Sequence, residues 1–317
     1  MKKFKQAGFL LICVVLLAAP LLAQTPAPTP EEARNAQYRS FVEKVSADPA
    51  TAYQIGKDFI VKYPTPDDQY LQYVKKYVAA YEDRQARVKC GQALKDNKGA
   101  EAFAICNVVL ATTPDDLTVL ASLANTGLSL TGNDRKTYSA DAVNDARKAI
   151  QLINAGKTFE AGKPLPNKEL TLASLNYVVG AMSLETDPAE AVKAFIAAAR
   201  SESDYKKVPQ VYALLSDAYR RAEYDKLREE VVNKCGTPEQ QETPDCKTLT
   251  AKVNDVTDRM IDALARAVAY AATSTDANAK NASAKWKQSL TTIYNFRKGS
   301  EDGLDAYIAG VTAKPLP

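Results

Sequence analysis

The tetrapeptide Thr65-Pro66-Asp67-Asp68 returns unchanged as Thr113-Pro114-Asp115-Asp116, each time after one apolar helical run and before another. Its chemistry suits the start of a helix. Threonine can cap, proline at the first helical position loses an amide hydrogen that had no partner, and the aspartates favour the positive end of the helix dipole. Proline-led starts recur at Pro166 and Pro209, so Pro66, Pro114, Pro166 and Pro209 lie 48, 52 and 43 positions apart. The segments after the second and third are also alike, Leu117-Thr118 through Gly127 aligning without a gap on Leu170-Thr171 through Gly180. Recurrence at such a spacing marks stacked repeats.

Between these points apolar residues recur three and four apart, as at Tyr70, Tyr73, Val74, Tyr77, Val78 and Tyr81. This is helical periodicity, and no stretch alternates strictly in the manner of a strand. The chain is expected to be all-α.

Residues 50–230 resemble the tetratricopeptide-repeat family, in which each unit is two antiparallel helices packed through small residues at set positions. Ala191, Phe195 and Ala198 carry the family's Ala-x3-Phe-x2-Ala spacing on a second helix, with Gly180 where the first helix takes its small residue. Leu215-Ser216-Asp217-Ala218-Tyr219 is similar to the family's Leu-Gly-x-x-Tyr, with serine in place of glycine. Ala142, Ala146 and Ala149 repeat the small-residue ladder one unit earlier. No unit carries the family's tryptophan, and the intervals exceed its period of about 34 residues. The resemblance implies an antiparallel helix-hairpin (TPR-like) solenoid, and with it a surface for binding in preference to chemistry.

The two ends frame this body. Lys2, Lys3 and Lys5 precede an uncharged run over residues 9–22 that stops at Ala23 and a Thr/Pro stretch, the layout of a bacterial secretory signal cleaved near Ala23. That run is shorter than the roughly 20 residues of a membrane span, so no stable membrane insertion is expected after cleavage. Cys13 lies inside the signal. The chain's net charge of +3 is carried by the three signal lysines, leaving 38 basic against 38 acidic residues beyond them. A neutral body gives no electrostatic reason to expect nucleic acid as a partner. The expected order is a signal peptide (residues 1–23), a Pro-rich linker (24–36), TPR-like repeats (37–232), and a disulfide-closed loop with a C-terminal helical cap (233–317).

Outside the signal stand Cys90, Cys106, Cys235 and Cys246, an even count in a compartment where disulfides persist. In a hairpin that turns at Asp96-Asn97-Lys98-Gly99, Cys90 and Cys106 sit level across two helices and are expected to bond. Cys235 and Cys246 flank a polar Gly/Pro-containing loop, expected to be non-helical, which their bridge would close. Each short loop implies about 2–3 kcal/mol of stabilisation. The chain has no histidine, no C-x-x-C and no Gly-rich phosphate loop. That removes His-based nucleophiles and metal sets, so neither catalysis, metal nor cofactor is expected. Helices are expected over residues 249–272, 278–296 and 304–311, forming the cap that a stack needs where its last apolar face would meet water. The ending through Tyr294-Asn295-Phe296-Arg297-Lys298 is also similar to the tails of exported bacterial repeat proteins of unassigned role.

Two surfaces are candidates for function. The resemblance places Lys75, Tyr177, Asp217, Arg220 and Arg221 on the concave face, where arginines beside an aromatic suit a carboxylate or acidic peptide. Tyr70, Tyr73, Tyr77 and Tyr81 form a stripe that either lines a groove for sugars or packs helices together. The expectation is a periplasmic or secreted, non-catalytic scaffold that binds a peptide or another cell-envelope protein. The alternative is a glycan- or solute-binding protein using the tyrosines.

Overall fold

The computed structural model describes residues 28–159, 165 and 167–317, and the regular elements among them are all helical. The expected signal and its cleavage site lie outside these residues. The chain divides into two compact units, one ending at Tyr81 and the other starting at Glu82, with the boundary inside one helix.

The first unit holds α1 (Pro30–Ala47), α2 (Pro49–Lys62) and the beginning of α3 (Gln69–Lys95). α1 starts earlier than the linker expectation allows, taking in residues 30–36. Thr29 and Glu32 form a reciprocal capping box and Pro30 occupies the first turn, so the helix is nucleated inside the proline-containing stretch. Phe41, Ala52, Phe59, Leu71, Val74 and Val78 make the unit's core. Burying an aromatic or aliphatic side chain of this kind contributes about 1.5–3 kcal/mol.

The Thr-Pro-Asp-Asp repeats cap helices through their last residue, not through threonine with proline at the first helical position. Asp68 Oδ1 accepts from the amides of Tyr70 and Leu71 at 3.1 and 3.0 Å, and Asp116 Oδ1 accepts from Val119 at 3.1 Å. Thr113 instead closes the preceding helix. Aspartate wins because its carboxylate reaches the exposed amides and also carries the charge that the dipole favours.

In the second unit, α3 ends where Asn97 adopts a left-handed conformation (φ 55°), and α4 (Gly99–Thr112) turns back beside it. The bridge Cys90–Cys106 joins the two helices across that turn. Next come α5 (Leu117–Ser129), α6 (Gly132–Asn154), α7 (Lys168–Ser183) and α8 (Pro188–Ala199). Each of these packs on its neighbour in sequence, and α5 also packs on α7. Small residues permit it. A Cβ on Gly127 would lie 2.5 Å from the Ala142 Cβ, and one on Gly180 would lie 2.7 Å from the Phe195 ring. Ala142, Ala146, Ala149, Ala191, Phe195 and Ala198 are all fully buried, as the small-residue ladders lead one to expect.

The pairing by neighbours then gives way to packing around one long helix. A 3-10 turn (Asp204–Lys207) leads into α9 (Pro209–Tyr219), a π-turn (Arg220–Tyr224) and α10 (Asp225–Lys234). The loop closed by Cys235–Cys246 was expected to be non-helical, yet it contains the short helix α11 (Pro238–Gln241). Thr237 and Gln240 form a capping box there and Pro238 fits the first position, so the proline favours the turn of helix. α12 (Pro244–Thr273) follows, and α9, α10, α13 (Ala277–Lys298) and α14 (Leu304–Val311) all pack on it. Trp286 is half-buried between the core that α12 shares with α9 and the core it shares with α13 and α14.

Candidate binding groove

α5 and α7 flank an open groove of about 960 Å³. α5 contributes Thr118, Ala121, Ser122, Asn125, Thr126 and Ser129, whose spacing of three and four places them on one face. α7 contributes Leu170, Thr171 and Ser174. Leu94 and Asn97 enter from the α3–α4 turn, and Phe159 and Tyr205 supply aromatic walls. No lining residue is charged, although charged residues make up 25% of the chain.

The polar groups of the groove are partly fixed by the helices that carry them. Asn125 donates to the Ala121 carbonyl at 2.8 Å and accepts from the Ser174 hydroxyl at 2.9 Å, which ties α5 to α7. Thr126 and Ser129 donate to the carbonyls of Ser122 and Thr126, and Thr171 donates to that of Asn167. Hydroxyls whose protons are spent this way present lone pairs, so the wall is richer in acceptors than in donors. Burial pushes the Tyr205 phenol up from its ordinary value, with the Ser174 hydroxyl working the other way. Tyr205 is therefore a neutral phenol at physiological pH.

Of the residues expected on the concave face, Tyr177 lies nearest this groove. It follows Ser174 by one helical turn, and its ring is 5.8 Å from that of Tyr205 and 6.0 Å from that of Phe195. Burial, then the neighbouring Tyr205, raises its phenol. Asp217, Arg220 and Arg221 come together at the end of α9, where they pair with one another. Arg220 donates to Asp217 at 3.0 and 2.6 Å and to Asp225 at 2.7 Å, while Arg221 donates to Asp217 at 2.8 Å. Two guanidinium groups thus face two carboxylates. Lys75 belongs to the first unit, where it pairs with Asp67 at 3.0 Å.

The tyrosine stripe also belongs to the first unit and engages its core. Tyr70 meets Tyr38 edge-on at 4.8 Å, Tyr73 and Tyr77 meet Phe41 at 6.0 and 5.1 Å, and Tyr81 stacks on Tyr53 at 4.6 Å. Tyr77 also donates to the Pro49 carbonyl at 3.2 Å. Tyr70 and Tyr73 remain 41% and 45% exposed.

Sequence reasoning did not single out the groove residues, although the ungapped match carried a signal for them. It aligns Thr118 with Thr171 and Ala121 with Ser174, and all four line the groove. Among the described residues no cluster of His, Cys, Asp and Glu could hold a metal, and no helix is long and apolar enough to cross a membrane. No family model matches the chain, and no curated protein or solved structure matches it either.

Proposed function

We propose that this chain is an exported, non-catalytic TPR-like scaffold that binds an extended peptide segment of a cell-envelope protein along the α5–α7 groove. The observation that carries the reading is the uncharged, acceptor-rich lining. An extended peptide offers backbone N–H donors at regular intervals and apolar side chains between them. Hydroxyl and amide oxygens meet the donors, while Leu94, Leu170 and Phe159 offer apolar contact. A strongly charged ligand would lose its hydration there without gaining a counter-charge. The pairing of Arg220 and Arg221 with Asp217 and Asp225 favours this groove over the arginine surface as the place of binding.

Selection from a displayed library of random peptides tests the reading. Peptides that bind the native chain should lose about tenfold or more in affinity to Ser174→Arg and Ala121→Arg, which place charge and bulk in the groove. Failure to select any peptide, or binders indifferent to both substitutions, would reject it. The glycan reading keeps one supporting observation, the exposure of Tyr70 and Tyr73. Binding to a glycan array that disappears in Tyr73→Ala would favour that reading instead.

A further inference from the structure

Arg266 is a charged residue in the middle of a helix core, only 3% exposed. Its Nε donates to Asp262 at 2.6 Å, which accounts for its charge. Its Nη2 makes a longer contact to the same carboxylate at 3.4 Å and donates to the carbonyls of Lys314 and Pro315 at the shorter distances of 3.0 and 2.9 Å. Arg200 continues the pattern, its Nη2 donating to the Leu316 carbonyl at 3.3 Å and to a main-chain carboxylate oxygen of Pro317 at 3.2 Å. Two guanidinium groups therefore hold main-chain oxygens of four consecutive residues. The Leu316 side chain packs on the core shared by α8, α9 and α12.

This is a mode of recognition suited to proline. Pro315 and Pro317 have no amide hydrogen, so a contact made wholly through main-chain oxygens leaves no donor of theirs unsatisfied. Proline also pre-sets the extended backbone, which lowers the ordering cost of binding. The segment does not fill its surroundings, because a cavity of about 420 Å³ remains beside it, walled by Tyr212, Tyr270 and Lys206. The same tetrapeptide, Lys-Pro-Leu-Pro, occurs a second time at residues 163–166. There Leu165 packs against the core of the α3–α8 region. In both places the leucine between prolines is seated against a helix core.

We propose that the Arg200/Arg266 crevice is a peptide-recognition site for extended Lys-Pro-Leu-Pro segments. Residues 314–317 occupy it in cis, and a peptide of the same sequence enters in trans when they are displaced. The site shares no lining residue with the α5–α7 groove and does not depend on its function.

Fluorescence anisotropy with a labelled Thr-Ala-Lys-Pro-Leu-Pro peptide tests this on three forms: the full chain, a chain ending at Ala313, and the full chain with Leu316→Asp. Both altered forms should bind the peptide saturably, about tenfold or more tightly than the native chain does. Replacing the peptide's leucine with aspartate, or adding Arg200→Ala to either altered form, should weaken binding about tenfold. The proposal is overturned if neither altered form binds while circular dichroism shows intact helices. It is equally overturned if Arg200→Ala leaves the affinity unchanged. Loss of helical signal in both altered forms would also end it, since residues 314–317 would then be part of the core and not a ligand.

Discussion

Where α5 crosses α6, Gly127 meets the Cβ of Ala142; where α7 crosses α8, Gly180 meets the ring of Phe195. The two helix pairs share a ladder, for Ala142, Asp145, Ala146 and Ala149 correspond to Ala191, Ala194, Phe195 and Ala198 at a constant offset of 49 positions. In one pair glycine allows two helices to touch nearly backbone to backbone. In the other it forms the seat of an aromatic ring. Similar sequence spacing thus yields two packing solutions, and the difference lies in what stands opposite the glycine.

The largest effect should come from emptying the aromatic seat. Phe195→Ala removes a fully buried ring seated against Gly180, and should cost about 3–5 kcal/mol in urea unfolding. A loss under about 1 kcal/mol would mean the ring does not organise the pair.

The backbone contact should be less costly to disturb, because two effects oppose each other. Gly127→Ala gains about 1 kcal/mol of helix propensity but forces apart helices whose Cβ atoms would stand 2.5 Å from one another, for a net loss of about 1–2 kcal/mol. Adding Ala142→Gly should recover most of that loss, and without such recovery the close approach is not what sets the spacing.

The smallest effect separates the pairs by pH. Asp145 stands where the second pair has Ala194, and its Oδ2 is buried without a hydrogen-bond partner among the described residues. Burial, then the nearby Asp141, pushes its carboxyl up to about 7. The folded chain therefore keeps a proton that the unfolded chain releases near pH 4, and stability falls as pH rises from about 4 to 7. Asp145→Ala should raise stability by about 1 kcal/mol at pH 8, with the gain shrinking toward pH 4; the partial exposure of the carboxyl keeps this below the full conversion of the shift. A gain that is the same at both pH values would show that packing and not ionisation is responsible.

What was legible in the sequence was local. The helical class, the turn at Asp96–Gly99, both cysteine pairings and the buried ladder through Ala191, Phe195 and Ala198 all follow from spacing within one or two helices. The start of α3 was misplaced by a few residues because Thr65 and Asp68 are both good caps, and only the path of the chain decides between them. The groove stayed hidden because Thr118, Ser122 and Ser174 look like ordinary solvated positions until α5 and α7 are set side by side. The pairing of Arg220 and Arg221 with Asp217 could have been read from spacings of three and four. Nothing local connects Arg266 with residues 48 and 49 positions away.

Asp48 is the one residue between α1 and α2. Its amide donates to the Lys44 carbonyl at the end of α1, and its carboxylate accepts from the Thr51 amide at 3.1 Å at the start of α2. A single residue therefore closes both sides of the corner, its backbone amide on α1 and its carboxylate on α2. Asp48→Ala should therefore speed amide exchange at Thr51, which loses its acceptor, and spare exchange at position 48, whose bond to Lys44 is made by the backbone, so that the corner behaves as a hinge with two separate latches.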